Sequence, residues 1–245
     1  MTPTQPPPRL GQLGALRSLG AERDLADAAL LLEVFGTIEG WCEREPRMRS
    51  ASNKLFAYSF GAIWTDSRAG APVAWRLGWS GVPWSAAARA LLELDADGQI
   101  TVRRSPGARD PLSLEHVVPK GLVFAKLLVL SRGGTPADAV KLLHDSTRLA
   151  VVTKAEGAGR VGGPSIRAVM RRSALPPEAY LDEISAAGLP WQWARYLEVG
   201  HELESFVTLG DALDLDPAVR ERLRLTTQTN DRELRISPLA ADPIG

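Results

Sequence analysis

The sequence predicts an α+β fold: a small antiparallel sheet covered by helices, with an N-terminal helical extension and a helical C-terminal third. Apolar residues recur at helical spacing from about residue 13 to 43. Two aromatic-rich stretches, 54–66 and 72–80, predict a β-hairpin whose turn lies at 67–71. Residues 148–152 have the composition of a buried strand, which we expect to join the same sheet. With 245 residues, 44% of them hydrophobic, the chain can bury a sizeable core.

Composition changes along the chain predict three parts. Residues 1–50 contain a proline-rich arm (1–9), expected to be disordered, and an amphipathic helix that we expect to break near Gly36. The main α+β domain is predicted over 51–205, and a last helix and tail over 206–245. The N-terminal helix is expected to pack on the core or to bind another protein.

Local signals predict the remaining elements. A helix at 83–94 is expected to cover the hairpin, followed by a turn at 95–98 and a short strand at 99–104. Four tryptophans, at 64, 75, 79 and 84, could stack on bases, but a core role is the stronger prediction. The further predictions are a loop at 105–111, helices at 121–130, 135–145, 177–187, 190–199 and 217–225, and capping boxes or caps at Thr135, Thr153 and Asp216.

Several classes of protein are disfavoured by the composition. The single cysteine, Cys42, excludes an intramolecular disulfide and a cysteine-ligated zinc site. No run approaches the roughly 18 apolar residues of a membrane span, and the N-terminus lacks an apolar signal core. We therefore expect a cytoplasmic protein with no membrane contact. The glycine-rich stretch 157–164 lacks the strand-to-helix context and the Lys-Ser/Thr of a phosphate-binding loop.

The net charge of zero conceals an uneven distribution. Residues 99–172 carry 13 Lys or Arg against 5 Asp or Glu, whereas residues 173–245 carry 6 against 13. A basic block of this kind can bind the phosphates of DNA or RNA. It can equally pair with the acidic C-terminal third, which is the stronger prediction.

The most chemically suggestive stretch is Ser-Leu-Glu-His-Val-Val-Pro-Lys, residues 113–120. It places His116 next to Glu115 at a predicted strand-to-helix junction. In phosphodiester hydrolysis an imidazole can deprotonate water while a carboxylate holds a divalent ion. His144, 28 residues further on, is the natural second ligand. In a regular strand, however, Glu115 and His116 point to opposite faces, so that one ion could use both only where the strand ends or bulges.

These residues resemble the HNH, or ββα-metal, endonuclease family, whose first motif is similar to Asp/Glu-His-x-x-Pro and whose last ligand is a His or Asn on a following helix. The resemblance covers residues 113–144 and implies that His116 and Glu115 are catalytic. It also implies that Glu115 and His144 bind Mg²⁺ or Mn²⁺. Arg103, Arg104 and Lys120 would then contact nucleic-acid phosphates. The family's middle asparagine has no counterpart, because no asparagine occurs between Asn53 and Asn230.

The sequence thus leaves three functions open. The first is a divalent-metal-dependent nuclease of the HNH type. The second is a non-catalytic binding or protein-interaction domain, such as a degenerate nuclease relative, which needs no metal. The third is a nucleic-acid binder that uses the basic segment 99–172 and the tryptophans without hydrolysis. In the case of a non-catalytic domain, the Glu-His-Val-Val-Pro sequence serves only to connect a strand to the helix that follows.

Overall fold

The computed structural model describes residues 12–69, 81–104, 110–158, 166 and 191–225. The helices are α1 (Ala21–Arg44), α2 (Arg49–Phe60), α3 (Asp66–Arg68), α4 (Ala86–Arg89), α5 (Lys120–Ser131), α6 (Pro136–Ser146), α7 (Lys154–Ala158), α8 (Ala194–Glu198) and α9 (217–225). The strands are β1 (Pro83–Trp84), β2 (Leu92–Leu94), β3 (Ile100–Val102), β4 (Leu112–His116), β5 (Leu149–Thr153) and β6 (Val207–Thr208). A π-helical turn at Gly61–Thr65 joins α2 to α3.

The main sheet has four strands in the order β4-β5-β1-β6, and β2 and β3 form a separate hairpin. The α+β class predicted from the sequence is confirmed. The sheet is mixed, because β1 runs parallel to β5 and antiparallel to β6, whereas β4 runs antiparallel to β5. The predicted strand at 148–152 is confirmed as β5, whose five residues are all buried, as expected for a strand covered on both faces.

One face of the sheet packs on the helices. Leu112 and Val151 belong to a cluster that also contains the buried side chains of α1, α2, α5 and α6. At its centre, the Phe35 ring lies 4.6 Å from the Phe56 ring and 5.4 Å from the Phe124 ring. Aromatic pairs at these distances add to the stabilisation that burial provides. Residues of α1 and of the sheet thus share one core.

The other face of the sheet covers a smaller aromatic cluster. Ala150 and Val152 pack there with Trp193, Tyr196 and Phe206, whose rings stand edge to face at 4.9 to 5.7 Å. The chain before α1 closes this layer, because Gly14 accepts a hydrogen bond from the Leu149 amide. Gly14 has φ +71° and a Cβ there would lie 2.6 Å from the Leu149 carbonyl oxygen, so only glycine fits.

The predicted strand at 54–66 is wrong, because these residues lie in α2, the π-helical turn and α3. Phe56, Phe60 and Trp64 recur every fourth residue and are all buried, which is the spacing of one helix face. The aromatic content had suggested a strand, but packing against Phe35 and Phe124 decided the outcome. Trp64 and Trp84 are buried in the core, as predicted.

Two helix predictions also need correction. Helix α1 continues through Gly36, and a Cβ there would lie 3.7 Å from the Ser131 Cβ of α5, an ordinary van der Waals distance. A single glycine inside a helix weakens the helix but does not have to end it. Residues 83–94 form β1, α4 and β2 instead of one helix, since Ser85 caps α4 by accepting from the Ala88 amide.

The local capping signals are confirmed. Thr135 and Asp138 form a complete capping box at the start of α6. Thr153 and Glu156 cap α7 in the same way, and Asp216 accepts from the Ala218 amide at the start of α9. The turn at 95–98 is present with Gly98 at φ +69°. Outside the described residues lie the predictions for 1–9, 72–80, 105–109, most of 157–164, and 177–187.

Among the described helices none is both long enough and apolar enough to cross a membrane. The strongly apolar α5 has 12 residues, about 18 Å of helix. The hydrocarbon core of a bilayer is about 30 Å thick.

The aromatic core predicts that two substitutions of an aromatic residue by alanine differ strongly in their effect on stability. Phe35→Ala should lower the free energy of unfolding by about 3–5 kcal/mol, because the ring is fully buried among Phe56 and Phe124. The matched control is Tyr58→Ala on α2, whose side chain is 78% exposed, and it should change stability by less than about 0.5 kcal/mol. Urea denaturation measures both, and equal losses would contradict this assignment of the core.

Candidate functional site

The Glu115–His116 pair lies at the end of β4 in regular antiparallel register with β5. Glu115 is opposite Ala150 and His116 is opposite Leu149. No extra residue interrupts the ladder between 112 and 116, and the Val117 amide continues it by donating to the Arg148 carbonyl. Because side chains alternate along a strand, the two functional groups point to opposite faces of the sheet.

His116 lies on the helix side of the sheet. Its ring centroid is 6.0 Å from that of Phe60, and its Nε2 atom is buried with no hydrogen-bond partner among the residues described. Burial lowers the pKa of His116 to about 3, and the positive charges of Lys120 and Arg195 act in the same direction. The imidazole is therefore neutral at pH 7, and its pKa is far below the neutral range that suits a general base.

Glu115 lies on the other face. Its Oε1 accepts a hydrogen bond of 2.9 Å from the Ser113 hydroxyl, and its charge helps to raise the pKa of Tyr196. The opposing Ala150 belongs to the aromatic cluster around Tyr196, so Glu115 and His116 border different clusters. The structure does not bring their side chains to a common point.

His144 lies near the end of α6, as predicted, but its side chain serves another interaction. Its Nε2 donates to Asp24 Oδ2 at 3.0 Å, and its ring stands edge to face against Trp64 at 5.3 Å. Asp24 is 120 residues away in sequence, at the start of α1. His144 therefore joins α6 to α1 and does not meet Glu115.

Asp24 is the centre of a buried polar network. It accepts hydrogen bonds from the Ser18 hydroxyl, the Leu19 amide, Arg68 Nη2 and His144 Nε2. Burial alone would raise its pKa, but these donors outweigh burial and lower it to about 2. We call Ser18, Asp24, Asp27, Arg68 and His144 the Asp24 network.

Arg68 completes this network. Its Nη2 also lies 2.9 Å from Asp27 Oδ2, and its guanidinium stacks 3.6 Å from the centre of the Trp64 ring. The adjacent π-helical turn widens the helix at this point, and π-helical turns are frequent at functional sites. Here the π-helical turn directly precedes α3, whose last residue, Arg68, contacts the carboxylates of Asp24 and Asp27 on α1. Within the described ranges, no group of three His, Cys, Asp or Glu side chains has a metal-binding arrangement.

The predicted phosphate-binding residues are separately placed. Arg103 follows β3 and pairs with Glu93 at 3.1 Å, Arg104 is exposed, and Lys120 is half-buried in the first turn of α5. Elsewhere in the basic segment, Arg132 pairs with Glu39 and Arg148 donates to the His144 carbonyl. These partners come from the rest of the fold and not from the acidic C-terminal third.

A second polar cluster was not predicted from the sequence. Tyr196 is fully buried, and burial raises the pKa of its hydroxyl. The negative charges of Glu115 and Glu156 raise this pKa further, whereas the positive charge of Arg195 lowers it. The His201 ring lies 5.7 Å from that of Tyr196, and burial lowers its pKa while Glu156 opposes the change. We call Glu115, Glu156, Arg195, Tyr196 and His201 the Tyr196 cluster.

The Tyr196 cluster draws on β4, α7, α8 and the segment after α8, so no short motif could have revealed it. Glu156 caps α7 together with Thr153, and it also accepts from the Ser85 hydroxyl at 2.9 Å. His201 is half-buried against Tyr196 and Phe206.

No family model, curated protein or solved structure matches this chain.

The Asp24 network predicts a stability change with a defined pH dependence. Asp24→Asn should lower the free energy of unfolding at pH 7 by about 3 kcal/mol, because Arg68 then loses a buried ionic partner. The folded-state pKa lies below the ordinary 3.8, so the carboxylate's contribution is complete above about pH 4 and is lost as the pH falls through about 2. The difference between wild type and variant should shrink over that range.

Urea denaturation between pH 2 and 7 measures this difference. Glu33→Gln is the matched control, since Glu33 is exposed on the same helix and its loss should change stability by less than about 0.5 kcal/mol. A pH-independent difference for Asp24→Asn would contradict the role assigned to its charge.

The environment of His116 predicts that its imidazole does not change protonation state in the neutral pH range. Its imidazole signals should not move between pH 5 and 8 in an NMR titration, with His116→Gln identifying them by their disappearance. Because its folded-state pKa is lowered from 6.5, stability should decline as the pH falls below about 6.5, and the His116→Gln variant should lose part of that slope. A midpoint near 6.5 would show that the ring is solvated.

Proposed function

We propose that this chain is a non-catalytic binding protein that works through a protein partner, and that it is a degenerate relative of HNH-type nucleases. The observation that carries the first part is the regular register of β4, which sends Glu115 and His116 to opposite faces of the sheet. Metal-assisted hydrolysis needs the base and the metal ligand at the same phosphate. Glu-His-Val-Val-Pro then serves to pass the chain from β4 into α5.

The proposed relationship is supported by the Glu-His-x-x-Pro motif at the end of β4. Strands β4 and β5 pair antiparallel, and α7 follows β5 directly and lies against β4. In the chain, however, α5 and α6 stand between the two strands, whereas the strands of a ββα unit follow each other directly. The helix that follows the second strand is therefore α7 and not α6, which carries His144. On α7, Glu156 is engaged by the Thr153 amide and the Ser85 hydroxyl. Glu115 and Glu156 thus accept hydrogen bonds from neighbouring residues of the fold.

The surface favours a protein partner over nucleic acid. Three of the seven large hydrophobic residues that are exposed in the described chain, Leu25, Leu30 and Trp41, lie on α1. By contrast, Arg103, Arg132 and Arg148 of the basic segment have partners within the fold. Aromatic side chains such as that of Trp41 are enriched at protein interfaces. The N-terminal helix is thus the surface that we infer to bind a protein.

A plasmid-nicking assay tests the absence of catalysis. Wild type, His116→Ala and Glu115→Gln should all leave supercoiled DNA intact in Mg²⁺ and in Mn²⁺, at the level of a mock purification, while an added nuclease cleaves in the same buffers. Cleavage by wild type that both substitutions abolish would overturn the proposal. Thermal unfolding of each variant shows whether a loss of activity reflects unfolding.

A further inference from the structure

We draw no further inference here: the strongest candidate, an anion site at the start of α5 around Lys120, rests on a helix N-terminus, since nothing in the described part of the chain directs the buried Nε2 atom of His116 toward the first amides of that helix.

Discussion

The fold depends on one buried carboxylate. Asp24 binds the segment before α1 through Ser18 and Leu19, the end of the α2–α3 helix through Arg68, and α6 through His144. A buried charge is tolerated only when its partners are complete, and removing one partner costs more than the interaction itself gained. Four parts of the chain that are distant in sequence are therefore committed to a single geometry, and the position of α1 follows from it.

The buried charge of Asp24 and the regular strand β4 together explain why Glu115, His116 and His144 do not meet at one site. His144 resembles a metal ligand in sequence, but the strongest acceptor within its reach is Asp24, which already needs a donor. Glu115 and His116 are separated by the alternation of a regular strand, which both faces of the sheet require because each covers a hydrophobic cluster. A bulge that aligned the two side chains would turn the rest of β4 over and move Leu112 and Leu114 out of the larger cluster to the opposite face of the sheet.

The sequence predicted what local chemistry determines. The capping boxes at Thr135 and Thr153, the turn at Gly98 and the apolar strand β5 all rest on residues within a few positions of one another. It failed at 54–66, where aromatic content suggested a strand and packing against Phe35 and Phe124 selected a helix. The partners of His144 and Tyr196 could not be predicted, because they lie far away in sequence and only the tertiary fold brings them together.

The two buried attachments of α1 also bear on its outer surface. The Asp24 network holds the start of the helix, and the Phe35 ring holds its middle against α2 and α5. A helix held at these points loses little backbone freedom when a protein partner binds its outer side, so the partner's binding retains more of the burial energy as affinity. Substitutions on α1 should accordingly separate by face: those at Asp24 or Phe35 act on folding, and those at Leu30 or Trp41 act on association.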